Sequence, residues 1–436
     1  MNVLLIGGGG REHAIAEAIK KSRYDVKLYT VMSRRNPGIA RLSEDVLLLK
    51  ETEVDRIRGY AVENGIDLSF IGPEAPLAAG VADSLEREGI KVFGPTIDAA
   101  RIEFDKAWAR TFIEEHGIKG SPRFQVFEQR EAREAHEFID ELEDVVVKPA
   151  GLTGGKGVRV MGDHFTSTDD AKEYANEVLK NDRVVVEERL TGEEFTLQAF
   201  TDGRHLSFAP AVQDHKRAYD GDLGPNTGGM GSYSSRGRIL PFMNDNDLDG
   251  AEKIMQETID ALKSEGITYR GLLYGQFMLT RDGPMVIEYN ARFGDPEAMN
   301  ILPLLETDII DIAEHVATGT LSSLDISFRE KATVCKYLVP EGYPEDPVRE
   351  TEIQIRDPPR NALLFYSSVH EKDGKIYTTS SRAIALVGIG ETIAEAEGIV
   401  EEAMHAIKGP LYARHDIGTE ELIQKRIDHM NQIRGT

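Results

Sequence analysis

Glu288 and Asn290 stand two residues apart in the run Val286-Ile287-Glu288-Tyr289-Asn290-Ala291-Arg292-Phe293-Gly294-Asp295-Pro296-Glu297. On a strand, that spacing puts both polar side chains on one face and Ile287 and Tyr289 on the other, so two hard oxygen donors converge over apolar packing. Such a pair suits Mg2+ whose octahedron is completed by nucleotide phosphates. Arg292, just beyond, can face phosphoryl oxygens with a planar, permanently charged fork. An exposed polar strand face is the plainer alternative for this segment alone. The sequence holds no Cys or His cluster of the kind zinc requires.

A second segment runs Val145-Val146-Val147-Lys148-Pro149-Ala150-Gly151-Leu152-Thr153-Gly154-Gly155-Lys156-Gly157-Val158-Arg159-Val160. It is not a Walker A loop, because Ala150 stands where that pattern needs Gly and Gly157 where it needs Ser or Thr. The loop joins strand to strand. A glycine-rich hairpin can close over a triphosphate with its N–H groups exposed, while Lys148, ending an apolar strand, aims a fixed cation at the phosphates. For Lys148 the alternative is a snorkelling edge residue, and for Lys156 a solvated loop residue. About forty residues later, Val184-Val185-Val186-Glu187-Glu188-Arg189-Leu190-Thr191-Gly192-Glu193-Glu194 reads as a strand running into an extended segment. Its backbone could meet an adenine edge and a carboxylate could bridge ribose hydroxyls, although acids after a strand are usually just solvated.

Residues 213–233 are dense in Gly, Asn and Asp without periodicity. That composition predicts a long structured loop, functional or a plain surface insertion. The N-terminal Gly7-Gly8-Gly9-Gly10-Arg11-Glu12-His13 lies between a strand and a helix, where N–H groups and the helix dipole can hold a phosphate. A dinucleotide fingerprint fails there: Glu12 occupies the third glycine position and no acid follows the second strand. His13 reads as a structural residue at a helix start, ahead of an acid/base role. Cys335, the single cysteine, reads as a small core residue, and its solitude excludes an intrachain disulfide.

These residues need scaffolds to position them. In the first hundred residues short apolar runs at 3–6, 26–31, 46–49, 68–71 and 92–93 alternate with helical patterns, which predicts a doubly wound, mostly parallel α/β unit. Residues 105–140 read as two helices around a break at 117–122. Strands follow at 145–147 and 184–186 with a helix at 169–179 between them, then a helix at 248–263 and a hairpin of strands 275–280 and 284–290 around Arg281-Asp282-Gly283. The end shows strands at 332–339, 353–355 and 383–387 and an amphipathic helix at 392–408. At 436 residues, several domains are expected. The 75 acidic against 51 basic residues give a formal charge of -24, which disfavours nucleic acid and anionic membranes as partners. An anionic substrate must then be held by a local cluster of cations. No stretch has the length of a membrane span and the N-terminus lacks a signal-peptide pattern, so a cytoplasmic location is expected.

Taken in order, the segments Gly9-Gly10-Arg11-Glu12-His13-Ala14, Gly72-Pro73-Glu74-Ala75-Pro76-Leu77, Phe93-Gly94-Pro95, Gln213-Asp214-His215-Lys216-Arg217, residues 224–231, Arg292-Phe293-Gly294-Asp295-Pro296-Glu297 and Asp416-Ile417-Gly418 closely resemble the phosphoribosylamine–glycine ligase family of the ATP-grasp superfamily, over essentially the whole chain. The resemblance implies an α/β and α+β multidomain protein. Its parts would be an N-terminal α/β domain at 1–104, an ATP-grasp core at 105–327 with a mobile lid at about 123–195, and a small C-terminal α+β domain at 328–436. It implies a monomer acting on glycine and phosphoribosylamine with ATP and Mg2+ or Mn2+. Lys106, Lys148, Gly154, Gly155, Lys156, Glu187, Glu188, Leu190 and Glu194 would contact ATP. Gly9, Gly10, Arg11, Glu74, Asp214, Lys216, Asp295 and Glu297 would hold the other substrates, with Lys148, Arg292 and Asp214 catalytic. Glu288 and Asn290 would bind the metal, with Gln276 as a further oxygen.

Overall fold

The computed structural model describes residues 1–152, 157–357 and 361–435. Its N-terminal sheet is wholly parallel, in the order Asp45–Leu48, Lys27–Met32, Asn2–Ile6, Leu68–Ile71, Lys91–Phe93. Val3, Leu4, Leu5 and Ile6 are all buried, as a strand covered on both faces requires. Strand order reverses between Asn2–Ile6 and Leu68–Ile71, so the loops after these two strands open side by side into the crevice such sheets leave at their carboxyl ends. Glu12 fills part of that crevice: it accepts the Gly9 N–H at 2.7 Å, and a Cβ on Gly72 would fall 2.2 Å from its carboxylate.

His13 packs inward, as a structural residue does. Its Nδ1 accepts the backbone N–H of Tyr366 at 2.9 Å, and Gly38 touches it so closely that a Cβ there would lie 2.1 Å from the ring. Burial, helped by Arg41, lowers its pKa from 6.5 to about 4. Between those values the unfolded chain binds more protons than the folded one, so stability present above pH 6.5 is lost as pH falls toward 4, about 3 kcal/mol from this residue. The melting temperature is accordingly expected to fall more steeply between pH 6.5 and 4.5 in the wild type than in a His13→Asn variant. Parallel calorimetric curves would refute this.

Residues 124–188 carry a four-stranded antiparallel sheet ordered Phe124–Phe127, Val184–Glu188, Val145–Pro149, Arg159–Val160, with the helices Ala132–Leu142 and Thr168–Leu179 packed on it around Phe138, Val147 and Tyr174. The break expected at 117–122 therefore runs into a strand, Phe124–Phe127. Its four residues are too few to show a period beside the turn residues before it.

The central sheet has ten strands. Its path runs Gly283–Asn290, Gly271–Thr280, Glu193–Thr201, Val212–Asp214, Gly231–Ser234, Ala332–Pro340, Ile384–Gly390, Ala362–Tyr366. The segment 213–233, read as an irregular loop, supplies two of these strands and a separate hairpin of Arg217–Tyr219 with Leu223–Asn226. Pairing of Gly231–Ser234 with Ala332–Pro340 carries the sheet straight into the last hundred residues. Cys335 is fully buried there, and burial pushes its thiol well above the ordinary range. The late helix spans Ile393–Met404, shorter than expected, because Ile407–Lys408 turns away to pair with Glu352–Ile355 in a small four-stranded sheet. A last helix, Glu420–Arg434, is capped by Thr419 and closed by Gly435 in the left-handed conformation. Among the described residues no helix is long and apolar enough to cross a membrane.

Candidate functional site

A cavity of about 1450 Å3 opens between the N-terminal crevice, the 124–188 unit and the central sheet. A pocket for one small ligand has about 300–1,000 Å3, so several ligands can share this one. Arg11, Glu74, Lys106, Lys148, Glu187, Glu188, Leu190, Glu194, Asp214, Lys216, Gln276, Glu288, Asn290, Arg292, Asp295 and Glu297 all line it. Gly9 and Gly10 do not: their N–H groups donate inward, to Glu12 and to the Ser367 hydroxyl. Gly154, Gly155 and Lys156 lie outside the described residues.

The floor of the cavity is the hairpin of Gly271–Thr280 and Gly283–Asn290. Gln276 stands opposite Glu288 and Tyr274 opposite Asn290, so the row expected from strand alternation is present. Register slips between Gln276 and Phe277, leaving Ile287 as the extra residue of a bulge. Its carbonyl turns to two cations, Arg110 Nη2 at 2.8 Å and Lys148 Nζ at 3.3 Å. Burial alone would raise the Glu288 carboxyl; Lys216, Lys106, Lys148 and Arg292 together overcome that and hold it below the usual range. Asn290 Oδ1 accepts from Arg292 Nη2 at 2.9 Å, and the Gln276 amide nitrogen donates to Glu194 at 2.5 Å, so that its oxygen could serve as a ligand atom. The donor set fits Mg2+, which needs only one or two protein oxygens when phosphates supply the rest. A larger cage is not needed, and among the described residues none of three or more acidic, His or Cys groups gathers.

Lys148 is buried in a triad. Its Nζ lies 2.7 Å from Glu187, whose two carboxylate oxygens also take the Arg110 fork at 2.6 and 3.0 Å. Burial pulls the Lys148 ammonium down, Glu187 holds it up, and Arg110 opposes. The Glu187 carboxylate is therefore committed to the two cations, and Glu188 accepts the Arg123 N–H at 2.7 Å. Any nucleotide contact made by Glu187 falls to its backbone. Lys106 donates to the Gly151 carbonyl at 3.2 Å, at the foot of the glycine-rich hairpin.

On the opposite wall, Arg292 is fixed by Glu103 at 3.0 Å and approached by Glu74 at 3.7 Å. Glu103 is itself anchored, accepting the Ala291 N–H at 2.7 Å. Asp214, half-buried, and Glu297, buried, form an acidic pair. Burial and then Glu297 push the Asp214 carboxyl well up, against Lys216 and Arg382, while Tyr274 donates to Glu297 at 2.8 Å. Lys216 has its ammonium stabilised against burial by Glu194, Glu288, Asp214 and Glu297. Asp295 accepts from Tyr337 at 2.7 Å and lies 3.3 Å from Arg382.

Four residues of this site escaped sequence reasoning. Arg110 follows Lys106 by one helical turn, so the i, i+4 spacing of two cations on Lys106–Glu115 was a readable signal. Glu103 and Arg382 had none, because only the fold brings them in; His215 stands between Asp214 and Lys216 in a segment already quoted, where nothing in the residue order gives its ring a role. Neither ring nitrogen of His215 has a hydrogen-bond partner among the described residues; burial, then Arg426 and Arg414, lower its pKa to about 3 and keep it neutral.

The chain is similar to known proteins over its whole length. Family models of phosphoribosylglycinamide synthetase match the chain in three pieces: the N domain at residues 1–103, the ATP-grasp (A) domain at 104–298 and the C domain at 333–420. The chain is 60% identical over 436 residues to the phosphoribosylamine–glycine ligase of Methanosarcina barkeri, covering 100% of both. It is 51% identical over 445 residues to that of Methanocaldococcus jannaschii, again covering 100% of both. Among solved structures it is similar to the phosphoribosylamine–glycine ligase of Thermotoga maritima, with a TM-score of 0.81 and 31% identity over 96% of this chain and 100% of that one. The biotin carboxylase domain of Hydrogenobacter thermophilus 2-oxoglutarate carboxylase has a TM-score of 0.72 at 14% identity, over 100% of this chain and 95% of that one, and shares the fold alone.

Proposed function

The chain belongs to the phosphoribosylglycinamide synthetase family, and from that membership we infer that it is a phosphoribosylamine–glycine ligase. It is an ATP-grasp enzyme that joins glycine to 5-phosphoribosylamine in the second step of purine synthesis, releasing glycinamide ribonucleotide, ADP and phosphate. The observation that carries the reading of the site is that a paired oxygen row, a buried Lys-Arg set and a group of acids with a lysine share one cavity.

In the first step a glycine carboxylate oxygen bonds to the γ-phosphorus of ATP and the bond to the β-phosphate oxygen breaks, giving glycyl phosphate and ADP. Lys148, held by Glu187, and Arg292, held by Glu103, face the oxygens on which charge spreads. Bound Mg2+, or Mn2+, would sit on Glu288 and Asn290 with Gln276 beside them and screen the phosphate charge. In the second step the amine of phosphoribosylamine attacks the glycyl carbonyl carbon, phosphate leaves, and the nitrogen gives up a proton. The Asp214–Glu297 pair supports binding of the amino groups, and Arg11, Glu74, Lys216 and Asp295 form the rest of the substrate wall. The adenine would lie along Glu187, Glu188 and Leu190 with Glu194 at the ribose, and Lys106, Gly154, Gly155 and Lys156 would contact the phosphates. Water must be kept out, because an acyl phosphate hydrolyses.

With glycine carrying heavy oxygen in its carboxylate, one labelled oxygen should appear in each phosphate released, read by mass spectrometry. Unlabelled phosphate would rule out the acyl phosphate route. The same reading takes the units as 1–104, 105–327 with its lid at 123–195, and 328–436. It also takes the enzyme as a cytoplasmic monomer with no nucleic-acid or membrane partner.

A further inference from the structure

The hairpin of Arg217–Tyr219 and Leu223–Asn226 stands at the cavity, and the proposed chemistry makes no use of it. It is nevertheless gripped from two sides. On the lid side, Asp163, in the turn after Arg159–Val160, pairs with Arg217 Nη2 at 2.5 Å, each side chain partly buried. On the other side Asp222, at the hairpin's tip, accepts from Arg414 Nη2 at 3.1 Å and from Arg426 Nη2 at 2.5 Å. Arg414, whose side chain is fully buried, also donates to the backbone carbonyl of Arg217 at 3.1 Å. Arg426, on the helix Glu420–Arg434, lies 3.3 Å from Glu193, the first residue of the strand that carries Glu194. Asp222 has a φ of 61°, a left-handed conformation that a non-glycine residue keeps only where its surroundings fix it.

We infer that Asp222 is a positioning residue: through it the C-terminal arginines hold the 217–226 hairpin, and the hairpin presents Arg217 as the landing point for the lid at Asp163. This rests on the reading of the cavity as a ligase site that the lid covers during turnover. It gives the end of the chain a part in the reaction although it supplies none of the groups proposed to hold ATP or glycine. A hairpin that drifts lets the lid lift, and glycyl phosphate is then lost to water with ATP already spent.

Asp222→Asn tests this, because asparagine keeps the shape and tolerates the left-handed backbone while losing the charge that both arginines grip. Glycinamide ribonucleotide formation is expected to fall roughly tenfold, with ADP release falling much less, so ADP formed per product rises well above one. Asp163→Asn should do the same, and the double variant should be no worse than the worse single one. In the presence of ATP and Mg2+, amide exchange over residues 157–165 should quicken in Asp222→Asn. A folded Asp222→Asn protein with wild-type ADP-to-product ratio and wild-type exchange overturns the proposal, as does a double variant whose losses multiply. If the wild-type protein makes no product from glycine and phosphoribosylamine, the ligase reading falls, and the exchange measurement alone decides: unchanged protection overturns the hairpin's role.

Discussion

Alanine at both 288 and 290 is expected to lower ligase turnover roughly 1,000-fold or more, the scale seen when a group stabilising transition-state charge is removed. Glu288 is partly buried and Asn290 buried, but both line the cavity, so truncating them widens an existing space and opens no void in the apolar core, and the folded state should survive. The loss is electrostatic. Glu288 is the acid around which Lys216, Lys106, Lys148 and Arg292 are gathered. Asn290 tethers Arg292 through a 2.9 Å bond, so the arginine loses an anchor as well. Turnover measured by ADP release, alongside circular dichroism, checks the expectation. A well-folded double variant with near wild-type turnover would remove the basis for the metal site.

Glu187→Gln should damage stability and activity together. The substitution leaves Arg110 and Lys148 buried without their shared anion, and breaking a buried ion pair in this way costs about 3–5 kcal/mol. Lys148 also loses the main influence keeping it protonated against burial and Arg110. Its charge should then disappear at lower pH, so the alkaline limb of kcat/KM for ATP moves down. Denaturant midpoints and a pH–rate profile measure the two effects separately. Unchanged stability would mean that the triad is dispensable to the fold; an unmoved alkaline limb would mean that Lys148 does not act as the charged phosphate contact. Replacing Arg110, Lys148 and Glu187 together with apolar residues of similar volume should recover much of the stability and none of the activity.

Much of this site could be read from residue order because its parts lie at strand ends with short periods. Glu288 and Asn290 show their common face through a spacing of two, and Lys148 shows itself by ending an apolar run. The fold of the first hundred residues was legible for the same reason: its parallel strands read as short apolar runs, unbroken and buried at the centre in Asn2–Ile6 and Leu68–Ile71 and half-exposed at the edge in Asp45–Leu48. What could not be read depends on meetings across long separations. Glu103 reaches Arg292 across 189 positions of chain and the Ala291 N–H across 188. The partners of Glu187, 39 residues from Lys148 and 77 from Arg110, decide whether its carboxylate faces a ribose or a cation pair. Short strands such as Phe124–Phe127 and Val212–Asp214 are invisible for a different reason, since three or four residues a step after a proline carry no periodic signal and are fixed only by the partner strand.

The join between Gly231–Ser234 and Ala332–Pro340 bears on how the protein is made. A ribosome adding about 5–20 residues per second delivers the second strand only after roughly a hundred further residues, some 5 to 20 seconds later. Through that interval the nascent sheet presents Gly231–Ser234 as an open edge, the kind of surface on which unfinished chains adhere to one another. Synthesis of residues 235–340 is thus what seals the sheet, and a slow stretch of translation there would lengthen the time a chaperone must shield it.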